Sequence, residues 1–174
     1  MPVSIKLQTV QPRKLAAVRR DVTQGAVGSA WASALDKVWE FIRSQPGLRT
    51  DGHNIFLYHH PTQPGAPILC DFGVEVTRTF DTAGEVHATD TQGGEAAVAV
   101  HRGPYNRLNE AHDAIRKWMA SNRRDWGCQV WYEDAGNGRR DSCRCAAVRW
   151  QPCAGRPQHG SGFSRVCGGS LFRR

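Results

Sequence analysis

One pattern constrains this chain more than any other. Residues 95–122, EAAVAVHRGPYNRLNEAHDAIRKWMASN, read as a strand, a Gly-Pro turn and an amphipathic helix. A looser copy runs from Lys14 to Gln45, KLAAVRRDVTQGAVGSAWASALDKVWEFIRSQ. Each copy has an Ala/Val run ending in basic residues, then a turn, then a helix with Trp near its end. Two such units in one short chain predict an internally duplicated α+β domain. A stacked array is excluded, because arrays need at least about three repeats.

The 174 residues suit one core, and a hydrophobic fraction of 40% can fill it. No apolar run reaches the ~18 residues of a membrane span. The first residues, MPVSIKLQTVQPRK, alternate like a strand and lack the apolar centre of a signal peptide. The expectation is a cytoplasmic protein with no membrane partner.

The net charge of +7 is unevenly spread. Residues 1–122 hold 13 Lys+Arg and 12 Asp+Glu, a sum of +1, whereas residues 123–174 hold 10 and 4, a sum of +6. No helix-turn-helix segment precedes the first strand, so DNA binding is expected to need a partner chain, with no direct nucleic-acid contact through the core. The excess reads as a solvated arginine-rich tail.

Alternation predicts strands at Val3–Leu7, Lys14–Arg19, Ile55–His59, Ile68–Val76, Glu85–Thr89, Glu95–Arg102 and Cys128–Glu133. Helices are expected over about Ser29–Ser44 and Asn106–Ser121. Trp31, Leu35, Val38 and Ile42 form one apolar stripe; Leu108, Ala111, Ile115, Trp118 and Met119 form the other. Pro46-Gly47 stops the first helix.

After Asp134 the sequence becomes rich in Gly, Arg and Cys, with no Lys after Lys117 and no Ile after Ile115. A domain is expected over 1–134, followed by a poorly ordered tail over 135–174 with one weak strand at Ser142–Trp150. That tail is expected to add little to the core.

No phosphate loop, nucleophile elbow or dinucleotide fingerprint is present. Cys143-x-Cys145 with His159 does not match a zinc spacing, so neither metal nor cofactor is assigned. His59 and His101 end strands, but no orienting partner is indicated by sequence, so no catalytic residue is assigned. The aromatics Trp31, Phe56, Tyr58, Tyr105 and Trp131 flank elements and could line a cleft between the halves. Glu133 beside Trp131 and Tyr132 could anchor a cation there.

The run AVAVHRGPYNRLNEAHDAIRKWM resembles the core signature of the GyrI-like small-molecule-binding domain family, which also supplies effector-binding domains to AraC- and MerR-type regulators. LAAVRRDV, HNIFLYHHP and LCDFGVEV follow that family's order, and the likeness covers about residues 3–121. It is most specific at His101-Arg102-Gly103-Pro104-Tyr105. The resemblance implies duplicated β-α-β-β units, a curved antiparallel sheet with both helices on one face, and a ligand cleft between the halves. It also implies a Trp-Glu-x-Tyr-type strand after the second helix. Here Gln129 stands at the Glu and Trp131 at the Tyr, while a short slip would bring in Glu133. The expected function is binding of a hydrophobic or cationic small molecule by a stand-alone effector-type domain, with a regulator or gyrase as possible protein partner. The alternatives are a hydrolase using a pocket carboxylate on electrophilic molecules and a gyrase-inhibitor-like interaction module.

Overall fold

The structure, a computed structural model, describes residues 3–23, 26–59, 65–102, 107–123, 129–134 and 142–148; for 51–52, 129–134 and 142–148 it describes the backbone alone. The elements are β1 (Ile5–Val10), β2 (Lys14–Val22), α1 (Val27–Ser44), β3 (Arg49–His59), β4 (Ile68–Val76), β5 (Val86–Asp90), β6 (Gly94–Arg102), α2 (Leu108–Ser121), β7 (Gln129–Asp134) and β8 (Ser142–Val148). All strands join one antiparallel sheet in the order β1-β6-β8-β7-β3-β4-β2-β5. The fold is α+β.

This order forces the sheet to curl. β1 and β2 stand six strand spacings apart, roughly 29 Å if the sheet were flat. Yet only Gln11, Pro12 and Arg13 join them, and four chain steps reach about 14 Å at most. The same holds for β5 and β6, joined by Thr91, Gln92 and Gly93. Both connectors must therefore meet where the ends of the sheet approach each other. There Thr91 N–H donates to Arg13 O and Arg13 N–H donates to Thr91 Oγ1, each at 2.9 Å. Gly93 lies so close that a Cβ would stand 2.7 Å from Pro12 Cδ.

The register also reveals a pseudo-two-fold relation. β2, α1, β3 and β4 correspond to β6, α2, β7 and β8, with the axis passing between β3 and β7. Phe56 pairs with Tyr132 at that axis.

Alternation along the strands separates two cores. On the outer face, α1 packs on β2 and β4 through Ala34, Leu35, Val38 and Ile42 against Ala16, Val18, Phe72 and Val74. α2 packs on β6 and β8, with Ala111, Ile115 and Met119 against Ala97 and Ala99. Both helices therefore share one face. The inner face carries Val10, Leu15, Ile55, Leu57, Ala96 and Val98, buried by the curl of the sheet itself.

Several boundaries differ from expectation. α1 begins at Val27, two residues early, with Ser29 Oγ donating to Ala26 O across its first turn. β3 begins at Arg49 rather than Ile55, because its polar first half still pairs with β4 through an irregularity between Arg49 and Asn54. The largest difference is β8. Ser142–Val148 lies in the segment expected to stand outside the core, but it pairs with β6 and β7 and joins the two halves. The weak strand expected at Ser142–Trp150 forms as β8, and neighbours on both sides supply the pairing that its slight hydrophobic periodicity signalled only faintly. Among the described residues the sheet therefore ends at β1 and β5, and β7 is flanked by β3 and β8. The remaining tail, 135–141 and 149–174, lies outside the described residues.

Candidate functional site between the helices

The two helices leave the central strands β3 and β7 between them. On β3, Phe56 and Tyr58 belong to the helix-bearing face and are half-buried against the α1 core. Trp31, near the start of α1, is 41% exposed and stands 6.3 Å from Phe56, centroid to centroid. Phe56 in turn meets buried Phe72 edge-on at 5.0 Å. The result is an aromatic wall and floor, rigidly backed by the core but open toward solvent. Such a surface suits planar or apolar ligands and, through its ring faces, cations.

Tyr132 pairs with Phe56 and Val130 with Tyr58, so both share the groove face by register. Gln129, Trp131 and Glu133 pair with His59, Leu57 and Ile55 and occupy the inner face. The positions singled out in the sequence thus divide: Trp31, Phe56 and Tyr58 come together, while Gln129, Trp131 and Glu133 stand on the reverse of the sheet. Tyr105 lies outside the described residues.

Sequence reading missed an ionic cluster on the inner face. Asp71, on β4, is 0% exposed. Arg19 of β2 donates to it from Nε at 2.7 Å and from Nη2 at 2.8 Å. His59 Nε2 lies 2.8 Å from Oδ2, and His87 Nε2 stands 3.3 Å from Oδ1 without an aligned hydrogen bond. Burial alone would raise the pKa of Asp71. Hydrogen bonds and charge from Arg19 and His59 outweigh it and hold the carboxyl well below the usual carboxylate range. On the neighbouring outward position, burial, together with the charges of Asp71 and Asp21, pushes the Cys70 thiol up to about 12. The signal for Asp71 was an acid inside the cleanest strand pattern of the chain, LCDFGVEV. Its partners come from three other strands, so spacing could not name them. Among the described residues, no His/Cys/Asp/Glu group has the geometry to hold a metal ion, and no helix is long and apolar enough to cross a membrane.

The duplicated α+β sheet carries both helices on one face, with Trp31, Phe56 and Tyr58 gathered beside α1, the architecture of a small-molecule-binding class of domain. The chain belongs to the GyrI-like small molecule binding domain family, whose sequence model matches residues 2–127. Among solved structures, the cryo-EM EcmrR–DNA complex is similar with a TM-score of 0.70 at 16% identity, covering 87% of this chain and 59% of that one. This chain therefore spans less than two thirds of EcmrR. The EcmrR C-terminal domain gives 0.68 at 15% identity, covering 84% and 97%. SAV2435 bound to tetraphenylphosphonium gives 0.56 at 9% identity, covering 83% and 92%. At these identities the likeness is one of fold. No curated protein matches the chain.

Proposed function

We propose that this domain binds a hydrophobic or lipophilic cationic small molecule in the groove between α1 and α2, in an effector-binding or sequestering role. The observation that carries the reading is the Trp31–Phe56 pair, two aromatic rings held by the core yet reachable from solvent. Family membership supports it. The likeness to SAV2435, which carries tetraphenylphosphonium, supports a cation among the ligands. On this reading the ring faces of Trp31, Phe56 and Tyr58 hold the ligand, and Tyr105, outside the described residues, is added on the family resemblance alone. Gln129 and Glu133, registered on the inner face, do not anchor it. The likeness to EcmrR supports service as the sensing part of a regulator, with DNA contacted by another unit.

Titration of the full chain with tetraphenylphosphonium and with neutral N-phenyl-1-naphthylamine tests this. Trp31→Ala and Tyr105→Ala should each weaken both probes by about tenfold, the scale of a lost aromatic contact. Glu133→Gln should leave both unchanged. Unaltered binding in both aromatic variants would remove the groove as the site. Selective loss of the cation in Glu133→Gln would restore a carboxylate anchor.

A further inference from the structure

The two halves of the sheet treat equivalent inner positions differently. The pseudo-two-fold relation can be followed residue by residue on the inner face. Arg19 pairs with Asp71, and Val100 pairs with Arg144. Ala17 pairs with Gly73 and His87, while Val98 pairs with Ala146 and Lys6. Leu57 pairs with Asp71, and Glu133 with Arg144. The place of Arg19 is thus taken by Val100, that of Asp71 by Arg144 and that of His87 by Lys6.

In the first half this place is filled and neutralised, since Asp71 is buried beneath Arg19, His59 and His87. In the second half a cleft of about 620 Å³ occupies the corresponding region, lined by Lys6, Gln8, Val98, Val100, Arg102 and Arg107 among others. Val100, at the counterpart of Arg19, is 48% exposed. Among the described residues, the acids nearby do not balance the cations. Glu110 in the lining is held by Arg107, at 2.7 and 3.1 Å. Glu133 stands opposite Arg144 in register. Lys6 and Arg102 remain as exposed cations beside an apolar wall of Val98 and Val100.

We infer that this cleft is a second ligand site, specific for a small amphipathic anion whose acid group is held by Lys6 and Arg102. A carboxylate there would meet Lys6 and Arg102 through charge-assisted hydrogen bonds, while its chain covers Val98 and Val100. The site is separate from the interhelical groove and does not depend on it. A carboxylate on a short alkyl tail is the simplest ligand of this class.

The test uses the full chain with octanoate and octanol as probes, followed by amide chemical shifts. Octanoate should shift the amides of Lys6, Gln8, Val98 and Val100, weaken with added salt, and bind at least about tenfold more tightly than octanol. The double variant Lys6→Gln, Arg102→Gln should lose that preference, while Lys37→Gln, a cation on α1, should keep it. Val100→Asp, which builds an acid into the cleft, should also abolish octanoate binding. Equal binding of the two probes, or an octanoate preference that survives in the double variant, overturns the proposal. So does an octanoate response centred on Trp31, Phe56 and Tyr58. The wild-type salt dependence and the comparison of probes need no variant, so poor folding of a variant leaves the test intact.

Discussion

Arg19 grips Asp71 from two nitrogens, Nε at 2.7 Å and Nη2 at 2.8 Å, and the gripped carboxylate has no exposed surface. This pair ties β2 to β4 on the inner face, and His59 extends the tie to β3. Removing one member of a buried pair leaves the other uncompensated, a loss of about 3–5 kcal/mol when both are buried. Arg19 is 46% exposed and can turn to water, so Asp71→Asn should cost less, about 2 kcal/mol. Urea unfolding of the variant at neutral pH measures this.

The same cluster sets an acid limb. The folded carboxyl of Asp71 titrates below its unfolded value, about 3.9. Its contribution is therefore fully present above that value and is lost as the pH falls below it toward the folded pKa. Between pH 5 and pH 2, wild type should lose stability more steeply than Asp71→Asn. Parallel profiles for the two proteins would show that Asp71 is not linked to acid unfolding.

The crossing of the two connectors depends on Gly93. A methyl there would stand 2.7 Å from Cδ and 3.0 Å from Cγ of Pro12, a ring that cannot rotate away. Gly93→Ala should destabilise the chain by about 1–3 kcal/mol through overpacking, read as a lower thermal midpoint. Gly28→Ala, where a Cβ meets nothing within 4 Å, is the control and should be neutral or slightly stabilising within α1.

Cys70 should be chemically silent in the native protein. Its thiol is fully buried and its pKa is pushed up to about 12, so almost no thiolate exists at pH 8. Peptide mapping after iodoacetamide treatment should find Cys70 unlabelled before denaturation and labelled after it.

The strand β8, expected only as a weak strand in a tail that adds little to the core, pairs inside the sheet. A chain ending at Asp141 removes the pairing that β8 makes with both β6 and β7. It should lose several kcal/mol, the scale of a missing core element, and fail to show a cooperative transition. A chain ending at Trp150 retains β8 and should unfold cooperatively. Equal unfolding curves for the two truncations would return β8 to the status of a dispensable tail.

The duplicated strand-turn-helix grammar, the apolar stripes of α1 and α2, and the strict alternation of Ile68–Val76 were legible because each arises from local periodicity. A helix must bury one side and a strand one face, so spacing alone names the buried residues, as Val38, Ile42, Ile115, Phe72 and Val74 show. Periodicity also put Trp31 on the apolar stripe of α1, but the structure leaves it 41% exposed beside Phe56. Which face of β7 meets these aromatics was not legible, because a slip of one residue exchanges every side of a strand. Only the pairing of Phe56 with Tyr132 decides that Gln129, Trp131 and Glu133 lie on the reverse. The cluster around Asp71 and the inner position of β8 also belong to tertiary structure. Their partners are far apart in the chain and meet only because two connectors too short for a flat sheet compel it to curl.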